Sequence, residues 1–269
     1  MAAGSTHRTL RTIAISAALV GTACTANAAM VRVGRGERCQ TIEAGLKTAA
    51  PGDTVLVLAG VYNENGLVVD KPVTLLGRDH PVIDAQDRGE ILTVTHNQSA
   101  IVGFTLRNVG TSFVEDRAAI RLKNVEAVRV EGNRIEKAFF GIYAEHTRDM
   151  EIRRNVLLGP ALREVDTGNG IHLWYCREAV IEDNEIHGHR DGIYFEFVEQ
   201  SRIAHNVSTH NIRYGLHFMF SHEDTYIENT FAENGAGVAV MYTHHVTMIG
   251  NVFEHNWGPS SYGLLLKDI

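Results

Sequence analysis

Met219 and Met241 stand 22 residues apart, and so do His222 and His244; His217 precedes Met219 by two residues and His245 follows His244. On a repeat of that period the two methionines stack in adjacent turns of chain, and so do the two histidines. Thioether and imidazole together suit a soft ion such as Cu(I) and exclude Mg2+ or Ca2+ as natural guests. A methionine patch is also an adaptable contact for a partner protein, so ion binding, docking and a surface with no role all stand. Ten of the 14 histidines lie between His172 and His255. A second group, His187, His189, His210 and His255, forms a rival site.

The period that aligns these residues runs through the second half of the chain. A small residue followed by alternating apolar positions recurs as Ala119-Ile120-Arg121-Leu122, then GIYA from Gly141, GIHL from Gly170, GIYF from Gly192, GLHF from Gly215, GVAV from Gly237 and GLLL from Gly263. In the first six, an Asn follows 14 residues later: Asn133, Asn155, Asn184, Asn206, Asn229 and Asn251. A fixed offset on a roughly 22-residue period is the mark of a solenoid. Alternation of polarity with period two assigns the units to strands. One inward column reads Ile120, Ile142, Ile171, Ile193, Leu216, Val238, Leu264; another, three residues before each Asn, reads Val130, Ile152, Ile181, Ile203, Tyr226, Met248. Met248 therefore belongs to the core and leaves the ligand set. The predicted fold is all-β, a right-handed parallel β-helix, with the Asn at a turn position, where it can tolerate the left-handed conformation, bond neighbouring backbone and stack into an amide ladder.

Outward columns place the candidate ligands. Seven residues after the small residue stand Glu126, Arg148, Arg177, Glu199, His222 and His244; four after it stand Lys123, Glu145, Trp174, Glu196, Met219, Met241 and Lys267. Charge in most coils marks the first column as solvent-facing, with neighbours roughly 4.8 Å apart along the stack. The spacing from Asn to the next small residue lengthens after Phe104, Asn155 and Asn251, so the longer loops leave one side of the coil and form a candidate binding lip. Toward the N-terminus, Thr41 to Ala50 reads as a short amphipathic helix capping the first open edge. VLVL from Val55, VTLL from Val73 and Pro81 to Asp84 read as early coils.

A polysaccharide-binding or -cleaving β-helix is the alternative. Glu145 and Glu196 share a column two coils apart, roughly 9.6 Å by the coil rise, at the upper limit for an inverting glycosidase. Trp174 between them would be a lone sugar platform. No Asp-Pro-His triplet and no cluster of aspartates supports catalysis.

A chain of 269 residues with 44% hydrophobic residues can form a substantial core. A net charge of −7 with no basic stripe argues against nucleic acid. Residues 1–28 read as a Sec-type export signal, with Arg8 and Arg11, an apolar run from Ile13 to Gly21 and Ala26-Asn27-Ala28 for cleavage. Residues 29–269 form the solenoid. The last repeat stops at Asp268-Ile269 before its Asn, which reads as a piece of a longer protein. Cys39 and Cys176 fall in distant parts of the stack and are expected to remain unpaired.

The stretch from Ala49 to Ala85 (AAPGDTVLVLAGVYNENGLVVDKPVTLLGRDHPVIDA) resembles the NosD family, periplasmic maturation proteins of nitrous oxide reductase. More specific to it are GNGIHLWYC from Gly168, RDGIYFEF from Arg190, RYGLHFMFSHED from Arg213 and GAGVAVMYTHHV from Gly235. The resemblance implies a periplasmic β-helix without enzymatic activity. It implies partnership with an ABC transporter (membrane subunit and cytoplasmic ATPase), with a copper chaperone and with the nitrous oxide reductase apoprotein, whose copper centres it helps to assemble. Copper would be a transient Cu(I) cargo. The resemblance brings no ligand set, so Met219, Met241, His222, His244 and His217 rest on column spacing alone.

Overall fold

The computed structural model describes residues 28–112, 114–160, 163–258 and 261–269. The expected export signal falls outside them except for Ala28. Apart from one α-helix and a 3-10 turn at Glu164–Asp166, the regular structure is strand, arranged as three parallel sheets of ten, nine and nine strands. Each full coil contributes one short strand to each sheet, as in Tyr214–Met219, Thr225–Ile227 and Thr230–Ala232. The chain is a parallel β-solenoid, as the repeat predicts.

Registers follow the sequence columns. Ile193 pairs Leu216 and Leu216 pairs Val238; Phe195, Phe218 and Val240 pair in the same way. These side chains are buried and form one continuous core along the stack. Met248 is partly buried against that core. The small-residue column has a steric cause. A Cβ on Gly192 would lie 2.7 Å from the Gly215 carbonyl of the next coil and 2.0 Å from Ser208 Oγ.

The Asn ladder is present inside the turn. Asn184 Nδ2 donates to Asn206 Oδ1 at 2.9 Å and Asn206 Nδ2 donates to Asn229 Oδ1 at 3.0 Å, while each backbone N–H takes the same oxygen. The left-handed conformation of this turn lies at the residue before the Asn: Arg154, Asp183, His205 and Glu228 have φ of 53°, 57°, 56° and 50°. That residue turns the chain, which frees the Asn side chain to point inward and satisfy buried backbone. A second ladder, Asn211–Asn234–Asn256, runs beside the first.

The helix α1 spans Ile42–Thr48, with Thr41 Oγ1 accepting from the Ala44 N–H at its start. The Glu64 carboxylate accepts from the Ile42 and Glu43 N–H groups at 2.8 and 3.0 Å, and Lys71 Nζ donates to the Leu46 and Ala49 carbonyls at 2.7 and 2.8 Å. Charge of each sign thus sits at the favourable helix end. Gly45 lets α1 close on Val33, whose Cγ2 would lie 2.4 Å from a Cβ there. The long loops, between Arg107 and Ala118, Leu158 and Ile171, and Glu254 and Leu264, all connect the same two sheets. They emerge beside the sheet that holds Met219 and Met241, hereafter the front sheet. Cys39 and Cys176 are both free and buried.

Candidate functional site

Met219 and Met241 end consecutive front-sheet strands, Tyr214–Met219 and Ala236–Met241, and pair directly in register. Both side chains are half-buried. Strand geometry puts their Cα atoms one coil rise apart, about 4.8 Å, so two thioethers share one surface. The chain then turns sharply: Phe220 and Tyr242 have φ of 49° and 54°. His222 and His244 lie beyond that corner. Their imidazoles stack with centroids 3.7 Å apart and planes 17° from parallel, and the His244 N–H donates to His222 Nδ1 at 3.3 Å. Burial, then the neighbouring His244, holds His222 below the ordinary histidine range, which favours the neutral imidazole that a metal needs. His245 flanks the pair at 4.8 Å.

His217 differs from the surface residue that its column suggested. It is 5% exposed, enclosed by the Tyr194 and Tyr214 rings at 5.0 and 4.8 Å. The long loop packs close by, for Glu164 pairs with Arg213 at 3.2 Å. Five candidate ligands therefore divide into two groups. His217, Met219 and Met241 belong to the front sheet; His222 and His244 lie around the corner. Among the described residues, no group of three or more His, Cys, Asp or Glu side chains could hold a metal, so any ion held by these side chains depends on the thioethers. The donor set, two thioethers with a buried, unpartnered imidazole on the same strand face, fits a soft cation.

Of the rival histidines, His187 and His210 meet at the Thr209 hydroxyl, at 2.6 and 3.1 Å, and each of the others has its own surroundings. His189 is fully buried where the second Asn ladder would continue, its backbone N–H donating to Asn211 Oδ1 at 2.9 Å, and burial pushes its pKa down to about 3. His187 Nδ1 contacts Thr209 Oγ1 at 2.6 Å, His210 pairs with Glu233 at 2.5 Å and His255 is exposed. Glu145 is ion-paired to Lys123 at 3.4 Å, and Glu196 accepts from the Tyr194 hydroxyl at 3.4 Å.

Two features escaped the sequence reading. One is Asp191, fully buried behind His217 with its Oδ2 3.5 Å from His217 Nδ1. Its signal was an acid immediately before the small residue Gly192. The other is an aromatic stripe along the corner. Tyr175, Phe197, Phe220 and Tyr242 stack at 4.5, 5.2 and 5.0 Å with planes 15°, 12° and 9° from parallel. It lies between the methionine column and the His222–His244 column, and its lower part lines a surface groove of about 410 Å³ with Glu199 and His222. Its column spacing, five residues after the small residue, was available in the sequence.

Fold and site define the class: a parallel β-solenoid whose soft donors gather at one edge of a front sheet in its C-terminal coils. Those coils also carry a family signature. Residues 160–269 match the family model described as "NosD: Periplasmic copper-binding protein (NosD)", so this segment is of NosD type. The chain is 31% identical over 150 residues to a Pseudomonas aeruginosa protein named "Probable ABC transporter binding protein NosD", a match that covers 55% of this chain and 35% of that one. It is 30% identical over 136 residues to the Stutzerimonas stutzeri protein of the same name, with 50% and 31% covered. The matched part thus spans about a third of the length of these curated relatives.

Solved structures share the fold alone. The A-module of a mannuronan C-5 epimerase from Azotobacter vinelandii superposes with a TM-score of 0.59 at 16% identity, over 79% of this chain and 71% of that one. The Dettilon tailspike protein does so at 0.60 and 12% identity, over 84% and 54%.

Proposed function

We propose that this chain is the solenoid of a periplasmic copper-handling accessory protein. It binds or relays Cu(I) for assembly of the copper centres of nitrous oxide reductase, and acts with an ABC transporter and a copper chaperone. It works as a binding protein rather than an enzyme. The observation that carries this reading is the in-register Met219–Met241 pair, with His217 on the same strand face and the stacked His222–His244 pair around the corner. The segment that supplies these residues is the one that matches the copper-binding family model. A cargo site of this kind holds its ion through soft, neutral donors, which release no proton when Cu(I) binds.

The test is anaerobic titration of the purified protein with Cu(I) against a chromophoric chelator. Wild-type protein competes for the ion; the Met219→Ala, Met241→Ala double variant binds at least about tenfold more weakly, a loss of ~1.4 kcal/mol or more. Unchanged binding in the double variant would remove the methionine site. Pull-down with the transporter's membrane subunit and with the chaperone tests the partners.

A further inference from the structure

Asp191 is the one acid in a front-sheet column that otherwise reads Ala118, Phe140, Tyr214 and Ala236 in the paired coils. It is fully buried, and a buried carboxylate is costly unless it is paired and hydrogen-bonded. One of its oxygens is provided for: Oδ1 accepts from the Tyr214 N–H at 3.3 Å and faces Arg213 Nε at 3.5 Å. Arg213 is shared with Glu164 at 3.2 Å. The second oxygen, Oδ2, has no hydrogen-bond partner among the described residues; its nearest cationic or ring nitrogens are His217 Nδ1 at 3.5 Å and Arg190 Nε at 4.0 Å.

His217 presents the complementary problem. Both ring nitrogens are buried and neither has a hydrogen-bond partner among the described residues. The Tyr194 and Tyr214 rings hold the imidazole from two sides. In the next coil Ala239 stands in register with His217 and brings no polar side-chain atom to it. A carboxylate accepts and cannot donate, so Asp191 Oδ2 favours the tautomer with its proton on Nδ1. That choice leaves the Nε2 lone pair free. It belongs to the histidine that shares a strand face with Met219, and Met241 is paired to Met219 one coil on.

We propose that Asp191 is a positioning residue that fixes His217 in the Nδ1–H tautomer and thereby makes Nε2 the imidazole donor of the Met219–Met241 copper site. The inference rests on the Cu(I) reading above and deepens it: of the candidate histidines, His217 is the ligand, while His222 and His244 stand outside the first set of donors. A carboxylate on the far nitrogen raises the basicity of a ligating imidazole, and losing it weakens metal binding by about 10–100-fold. No proton is lost on binding, because Nε2 donates a lone pair it already holds.

Two measurements test this. In the metal-free protein, long-range 1H–15N correlation of the imidazole reads the tautomer without reference to copper: Nδ1–H is expected at His217, and Nε2–H would overturn the proposal. Anaerobic chelator competition then compares Asp191→Asn, His217→Ala and the pair combined, each checked by thermal melting for retained fold. Asp191→Asn is expected to weaken Cu(I) binding about 10–100-fold, and to add nothing once His217 is already alanine. If Asp191→Asn still weakens binding in the His217→Ala background, it does not act through His217 and the proposal fails. If the methionine double variant abolishes binding while His217→Ala leaves it intact, the copper reading stands and this inference alone falls.

Discussion

Asn206 and Asn229 are joined twice across adjacent coils: Asn206 Nδ2 and the Asn206 backbone N–H both donate to Asn229 Oδ1, at 3.0 and 2.9 Å. Asn206 in turn accepts both donors of Asn184, and its Nδ2 reaches the Ile181 carbonyl at 2.8 Å. Replacing Asn206 by Ala therefore strands two buried donors on Asn184 and removes the side-chain donor from the Ile181 and Ala204 carbonyls. At about 1–3 kcal/mol for each buried group left unmade, the loss amounts to several kcal/mol. Urea unfolding of Asn206→Ala should show a midpoint shift well beyond that of the exposed neighbour His205→Ala.

Glycines separate into two kinds with different costs. At Gly192 a Cβ would meet the Gly215 carbonyl at 2.7 Å and Asn211 Nδ2 at 2.8 Å, so Gly192→Ala must push neighbouring coils apart. At Gly132 a Cβ has open space, and only φ of +62° opposes it. Gly132→Ala should cost about 1 kcal/mol, the left-handed penalty, and Gly192→Ala more than about 2, as overpacking of a rigid core does. Thermal melting of the two variants side by side checks the order.

The repeat made the solenoid legible because every coil restates the same alternation, and the inward columns pair as read. Met248 packs partly buried against the core, as its inward column implies, and Met219 stands in register beside Met241. It failed where a side chain's surroundings come from another part of the chain. His217 has an outward-facing address, yet the Tyr194 and Tyr214 rings enclose it. His189 sits in a turn by sequence but fills the slot of an Asn ladder. The corner at Phe220 divides the candidate ligands, because a left-handed residue redirects the strand and spacing alone does not reveal that turn.

Two histidines, the half-buried His172 and the fully buried His189, set an acid limit. His172 and His189 are pushed down to about 3, His172 by burial and then by Arg190 and Arg121, and His189 by burial and then by His187. Both stay neutral in the fold while the unfolded chain takes up protons near pH 6.5. Their contribution is thus intact above about pH 6.5 and is lost as pH falls from there toward 3, by up to about 1.4 kcal/mol per unit for each group. His189→Asn, which continues the Asn211–Asn234 ladder, should flatten the fall in stability between pH 6.5 and 4. Denaturant melts across that range measure the slope; an unchanged slope would refute the assignment for His189.

Phe220 occupies a position that costs the fold energy. Its φ of 49° lies in the left-handed region, which penalises a bulky side chain by about 1–2 kcal/mol relative to glycine. Stacking on Phe197 and Tyr242, at 5.2 and 5.0 Å, returns about 0.5–1.5 kcal/mol per pair. The two effects nearly cancel. Asn tolerates this conformation, and Asn124 already adopts it five residues after Ala119, in the same column, with φ of 53°. Phe220→Asn should therefore leave the unfolding free energy within about 1 kcal/mol of wild type. A melting temperature close to wild type would mean that folding does not require an aromatic here. A large destabilisation would instead assign the stripe to holding the corner.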